Sequence, residues 1–224
     1  MLRCVRTREI GRRLLPVAHR LCVRHLAMEA LGPPGRALPG SRYPTQPEIA
    51  ERSPYLAQPE MAALLADAER LGIELHCYEA DRRGAPEKIA RDTMSLAYTN
   101  WREHEQARHL IGLLAQLDNQ AKLLVWCGNS HHSRHLHWRG AGFKAVGRWV
   151  PMGWRFRQLA GFAQFAIDQD VTVDFPGNSR ERLAEVWRPI LEQHGGTAGF
   201  LQSRRATLSP GVDAVLLSLE NHLE

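Results

Sequence analysis

The residues best suited to acid–base chemistry are one carboxylate in an apolar segment and a group of histidines about a hundred residues later. Glu29 is flanked on both sides by apolar residues, and a carboxylate that is buried there needs a partner. His131 and His132 follow the apolar segment 122–127 within a few residues, with Asn129 ahead of them. A carboxylate and an imidazole at one site shift each other's pKa toward values useful for proton transfer. Glu29 and His131 are therefore candidate catalytic residues, and Asn129 and His132 are candidate substrate-binding residues.

Other carboxylates follow two further predicted strands. Glu79 and Asp81 come after the second strand, and Asp168 comes after the fourth. Asp81 and Asp168 are the candidate substrate-binding residues among them.

For Glu29, the structural alternative is a buried ion pair with an arginine. Arg102 lies in a polar helical segment and, by its sequence alone, is typical of a solvated helix face.

The histidine-rich segment leaves a metal site open as an alternative. Residues 130–137 include four histidines, and imidazole is the commonest transition-metal ligand. No cysteine or carboxylate stands beside them at a standard ligand spacing, and the HExxH motif is absent. His135 and His137 are therefore predicted to lie on the loop surface, and no metal ligand is assigned. The phosphate-binding motifs GxGxxG and GxxxxGK[ST] and the nucleophile motif GxSxG are also absent.

Predicted helices and strands alternate along the chain. The hydrophobic spacing predicts helices over 8–21, 59–71, 86–117, 152–159 and 180–193, and strands over 24–29, 73–79, 122–127, 162–167 and 213–218. This alternation is typical of an α/β fold with a mostly parallel sheet and helices on both faces. Residues 1–224 are predicted to form a single domain, with a Pro/Gly-rich loop at 32–57 and a histidine-rich loop at 128–150. Because ligands bind outside the carboxyl ends of parallel strands, the candidate residues are expected to share one edge of the sheet.

Composition narrows the class of function. The net charge is +5, but all but three of the 29 basic residues are arginines spread along the sequence, so we predict no nucleic-acid partner. No apolar stretch approaches the ~18 residues that a membrane helix needs, so no membrane partner is expected. Cys22, Cys77 and Cys127 lie in or beside apolar stretches, which is typical of buried thiols in a reducing compartment and predicts a cytoplasmic protein. A small-molecule substrate is expected, and the oligomeric state stays open.

Three segments together resemble one known superfamily. They are the end of the first strand at 28–31, the helical segment 102–107, and the strand and loop at 125–131. In order and spacing they resemble the erythromycin esterase-like group and its relatives, the haem-binding iron-uptake lipoproteins and the Tiki and TraB proteins. Met152-Gly153 resembles the Met-Gly motif of the same group. The resemblance covers roughly residues 20 to 170.

The resemblance implies an erythromycin esterase-like fold and three catalytic residues. Glu29 matches the acidic residue after the second strand of the family, and Arg102 matches the helix arginine that faces the pocket. His131 matches the histidine of an Asn-x-His motif, with Asn129 ahead of it. The implied activity is hydrolysis of a small ester, lactone or amide by activated water, without a metal in the esterases. Arg102 would then stabilise a developing oxyanion, which is worth about 3 kcal/mol.

One feature of the family has no counterpart in this sequence. The family opens with a strand that carries a Gly-Glu-x-x-His-type motif, whereas this chain is expected to begin inside the first helix, as a truncated or degenerate member. Two alternatives to the hydrolase therefore stay open. One is a haem- or divalent-metal-binding module that uses His131, His132 or His135, and the other is a catalytically inactive truncated member of the family.

Overall fold

The chain divides into two compact units in the computed structural model. The structure describes residues 5–33, 56, 58–128, 131–139, 147–172, 181–202 and 211–218. The first unit is Arg12–Gln164, and the second combines Met1–Gly11 with Phe165–Glu224. The single domain expected over residues 1–224 stays a prediction.

Helices and strands alternate through the first part of the chain, with ends that local chemistry explains. They are α1 (Val5–Arg20), β1 (Val23–Met28), α2 (Pro59–Arg70), β2 (Glu74–Cys77), α3 (Glu87–Ala90), α4 (Leu96–Leu114), β3 (Lys122–Trp126), β4 (His137–Arg139), β5 (Gly147–Trp149) and α5 (Met152–Ala160). The side chain of Ser95 caps α4 by accepting the N–H of Tyr98 at 3.1 Å. Helix α5 ends at Gly161, whose φ of 75° is the left-handed conformation that glycine adopts readily.

The parallel sheet of the first unit brings three strand ends to one edge. The strand order is β2-β1-β3, and Met28 pairs with Cys77 on one side and with Trp126 on the other. The three strands therefore end in register. The residues that follow them, including Glu29 and Glu79, are placed next to one another at the carboxyl edge.

Helices pack on both faces of this sheet. Leu26 and Met28 of β1 are fully buried in a core that includes residues of α1 and α2. Ala27 points to the opposite face because side chains alternate along a strand, and there it joins residues of α4 and α5. Outside this sheet, β4 and β5 form an antiparallel pair, so the predicted histidine-rich loop contains two short strands.

The second unit has its own small sheet. Its elements are β6 (Ile167–Thr172), α6 (Glu181–Gln193), β7 (Thr197–Leu201) and β8 (Ala214–Ser218). Strand β8 is central, parallel to β6 and antiparallel to β7. The described strands of the chain thus form three sheets rather than the one mostly parallel sheet that we predicted, and the fold is mixed α/β with a small parallel sheet.

The strand predicted over 162–167 is displaced in the structure. Strand β6 begins at Ile167, so Asp168 lies near its amino end and not at its carboxyl end, as expected. Strand β7 was not predicted.

Two predictions from composition bear on the cysteines and on membranes. Cys77 and Cys127 are half-buried and Cys22 is exposed, so the prediction of buried thiols is wrong, most clearly for Cys22. Within the described ranges, every helix is too short or too polar to span a lipid bilayer.

Candidate functional site

The carboxylate of Glu29 is held from two sides at the edge of the parallel sheet. Its Oε2 accepts the backbone N–H of Gly128 at 2.9 Å, and its Oε1 accepts from Nη2 of Arg102. Burial acts to raise the pKa of Glu29. The charges of His131 and Arg102 and the N–H of Gly128 more than offset burial, so the pKa lies below its ordinary value. Glu29 is therefore an ionised carboxylate, with 23% of its side chain exposed.

Arg102, from α4, joins carboxylates that follow two neighbouring strands. Its Nε donates to Oε1 of Glu79 at 2.9 Å, and its Nη2 donates to both Glu79 and Glu29. Gln106, one turn along the helix, donates to the same Oε1 of Glu79 at 3.0 Å. Burial acts to lower the pKa of Arg102, but the two carboxylates raise it above its ordinary value. Among the described residues, Nη1 of Arg102 has no hydrogen-bond partner and remains available as a donor.

His131 lies between two carboxylates. Its Nδ1 is 2.7 Å from Oε1 of Glu103, which is fully buried. Glu103 also accepts Nε1–H of Trp149 at 3.0 Å and the backbone N–H of Met152 at 2.6 Å. Burial acts to lower the pKa of His131, but Glu103 and then Glu29 raise it above its ordinary value. The imidazole is thus both oriented and made more basic by its surroundings.

Gly128 is the point where Glu29 and His131 converge. A Cβ placed on Gly128 would lie 3.4 Å from Oε2 of Glu29 and 3.6 Å from Nε2 of His131. Both side chains therefore border the same small space just beyond the carboxyl end of β3. Nδ1 lies on the side of Glu103, at ion-pair distance, so Nε2 is the ring nitrogen that faces the space beside Gly128.

The start of α5 fixes the chain that carries His131. The backbone N–H of Gly153 donates to the carbonyl of His131 at 2.7 Å, and the side chain of Gln164 donates to the carbonyl of His132 at 3.1 Å. A Cβ on Gly153 would lie 2.2 Å from that second carbonyl oxygen, so the close approach requires glycine. The imidazole is held by backbone contacts as well as by Glu103.

The structure thus brings together the three residues that were predicted to be catalytic, Glu29, Arg102 and His131. The expected structural alternative for Glu29 is also present, because its partner is an arginine. His132 lies beside this group, with Nδ1 at 3.9 Å from Sγ of Cys127. The haem and metal alternatives at the histidine loop stay predictions.

The other predicted site residues are placed differently. Asp81 accepts from the backbone and guanidinium of Arg83 at the start of the 3-10 turn Arg82–Gly84. Asn129 lies outside the described residues. Asp168 belongs to the second unit and is 8% exposed. Asp168 was predicted to follow a strand, but it lies near the start of β6, so this prediction of its position is wrong.

Sequence reasoning missed three residues of the site: Glu79, Glu103 and Gln106. Glu79 was noted after the second strand, but Asp81 was preferred. Glu103 carried a signal, because it precedes the buried Ala107 by four residues and so lies on the buried stripe of α4.

The comparisons with known proteins leave the family open. No protein-family model matches the sequence, and no curated protein is significantly similar to it. Among solved structures, the chain is similar to one titled "Bacterial protein toxins", with 15% identity and a TM-score of 0.39. The likeness covers 67% of this chain and 29% of that chain, so this chain spans under a third of the length of that protein. At this TM-score the likeness carries no argument, and the functional interpretation depends on the geometry of the site.

Proposed function

We propose that the protein is a hydrolase of the erythromycin esterase-like type that activates water against a small ester, lactone or amide. The observation that carries the proposal is the imidazole of His131, which has buried Glu103 at Nδ1 and borders, together with the carboxylate of Glu29, the space beside Gly128. A buried carboxylate behind an imidazole orients the ring and stabilises the imidazolium that forms when the ring takes a proton. The resemblance of three sequence segments supports the same class and fold, with the cytoplasm as the expected compartment.

In the proposed reaction, His131 is the general base. Its Nε2 takes a proton from a water molecule as the water oxygen bonds to the carbonyl carbon of the substrate. Glu29 accepts the other O–H of that water and holds it in place. As the C–O or C–N bond breaks, the imidazolium returns its proton to the leaving alkoxide or amine. Atoms and charges balance without a further reactant.

Arg102 supplies the charge that the carbonyl oxygen needs in the transition state. Glu29 and Glu79 hold Nε and Nη2 of the guanidinium, so its orientation is fixed before substrate arrives. Nη1 then donates to the developing oxyanion. Such a preorganised donor is worth about 3 kcal/mol.

The proposal predicts a pH dependence with a defined sign. A protonated imidazole cannot accept a proton, so the rate should rise with pH through the pKa of His131. That pKa lies above the ordinary value of 6.5, which shifts the rise toward the alkaline side.

The test is hydrolysis of a panel of chromogenic esters, lactones and amides by the purified chain. His131→Ala should lower the rate by about 100-fold or more, as expected for loss of the general base, and Glu29→Gln should also lower it, because the water loses the acceptor that holds it in place. His194→Ala is the matched control, since His194 is exposed beyond the end of α6, and it should keep the rate. Unchanged rates in the two site variants, or no hydrolysis by the native chain, would contradict the proposal.

A further inference from the structure

A second group of donor atoms lies within β1 and β2, away from the carboxyl edge of the sheet. His25 is in β1, and Glu74 and His76 are in β2. We propose that these three side chains bind a first-row divalent transition-metal ion, with zinc as the best fit. The site is independent of the proposed hydrolase chemistry.

The distances between the donor atoms match what such an ion requires. Nδ1 of His25 lies 3.0 Å from Nε2 of His76 and 3.6 Å from Oε2 of Glu74. All three donor atoms lie within 4.8 Å of one another. A tetrahedral zinc ion holds imidazole nitrogens at about 2.0–2.1 Å, which separates two of them by about 3.3 Å. Only a small movement of the rings would therefore complete the geometry.

Strand register explains why the three side chains meet. His25 pairs directly with Glu74, and His76 pairs with Ala27, two residues along from His25. Paired residues of parallel strands point to the same face of the sheet, and so do residues two apart on one strand. All three donors therefore project from the face that carries Ala27. An ion bound there would link β1 to β2 through side chains.

The chemistry of the pair of imidazoles favours an ion. Two ring nitrogens that face each other at 3.0 Å need one proton, or one metal ion, between them. Two imidazoles and one carboxylate form a ligand set that zinc accepts. Glu74 is 45% exposed, so the site is open to an incoming ion and to water as a fourth ligand.

Metal titration tests the proposal directly. The chain is prepared without a histidine tag, stripped with a chelator, and titrated with zinc against a chromophoric competitor, with cobalt absorbance as a probe of tetrahedral geometry. We expect one equivalent to bind. His25→Gln and His76→Gln should each weaken zinc binding by at least about 100-fold. Loss of a residue that only hydrogen-bonds to a metal ligand already costs up to about 100-fold in affinity, and these two residues are proposed to bind the ion directly. Glu74→Gln, at a more exposed position, gives the same test if either histidine variant fails to fold.

Two controls separate this site from the rest of the chain. His194→Ala should keep full affinity, and so should His131→Ala, which lies at the proposed catalytic site. If the two rings share a proton instead of a metal ion, the chain should bind no zinc at micromolar concentration. That result would overturn the proposal. Uptake that is equal in native chain and His25→Gln would overturn it as well. Neither result depends on whether the chain hydrolyses esters.

Discussion

Replacing Glu103 by glutamine tests the buried acceptor behind His131. Glu103 is fully buried, accepts N–H groups from Trp149 and Met152, and lies 2.7 Å from Nδ1 of His131. Glutamine has the same shape as glutamate, but its –NH2 group would face at least one of these donors and cannot accept a hydrogen bond from it. An unpaired buried donor costs about 1–3 kcal/mol, and a broken buried ion pair costs about 3–5 kcal/mol. We therefore expect the free energy of unfolding to fall by about 2–4 kcal/mol near pH 6.

The size of this loss should depend on pH. The folded-state pKa of His131 is raised above 6.5, so its stabilisation is complete below that value and is lost as pH rises through the folded-state pKa. The loss caused by Glu103→Gln should then shrink between about pH 6 and about pH 9, but not vanish, because at least one of the two N–H groups stays unpaired.

Urea unfolding at both pH values, with Glu105→Gln as the matched control, measures this effect. Glu105 pairs with Arg108 on the helix surface at 3.1 Å, and such a pair is worth about 0.5 kcal/mol. Equal free energies of unfolding for the two variants, or a loss that does not change with pH, would refute the reasoning.

Further substitutions test the packing around the site. Gly153→Ala should lower the free energy of unfolding by about 1–3 kcal/mol, because its Cβ would meet the carbonyl of His132 at 2.2 Å; thermal melting as high as that of the native chain would contradict this packing. Gly112→Ala, at an open position in α4, is its control and should raise stability by about 0.5–1 kcal/mol. Tyr78→Phe removes a buried hydroxyl that donates to the carbonyl of Trp126 at 3.0 Å. It should cost about 0.5–1.5 kcal/mol in urea unfolding, and a neutral result would count against that hydrogen bond.

The carboxyl ends of β1 and β3 could be predicted from the sequence to within one residue. The apolar end of β1 stops before the charged Glu29. The apolar run of β3 continues through Cys127 and stops at Gly128. A charged residue and a glycine are both unsuited to a buried strand. The choice between two carboxylates after β2 could not be made in this way. Beyond the end of a strand, side-chain direction no longer alternates, so only the structure shows that Glu79 meets Arg102 whereas Asp81 pairs with Arg83.

Two other failures have different physical causes. Glu103 was missed because the helix over 86–117 was predicted from the spacing of its hydrophobic residues alone. A carboxylate on the buried side of that helix needs buried partners and so indicates a site. Asp168 was misplaced because the strand that contains Phe162 and Phe165 was predicted to end just before it. In the structure they are 57% and 64% exposed, and the strand begins after them.

The most direct test of the convergence of Glu29 and His131 is an NMR titration of the His131 imidazole in the native chain and in Glu29→Gln, with the resonance assigned from His131→Gln. The charge of Glu29 contributes to raising the pKa of His131. We predict that His131 titrates above 6.5 in the native chain and at a lower pH in Glu29→Gln. The same pKa in both proteins, or a native value below 6.5, would contradict a shared site.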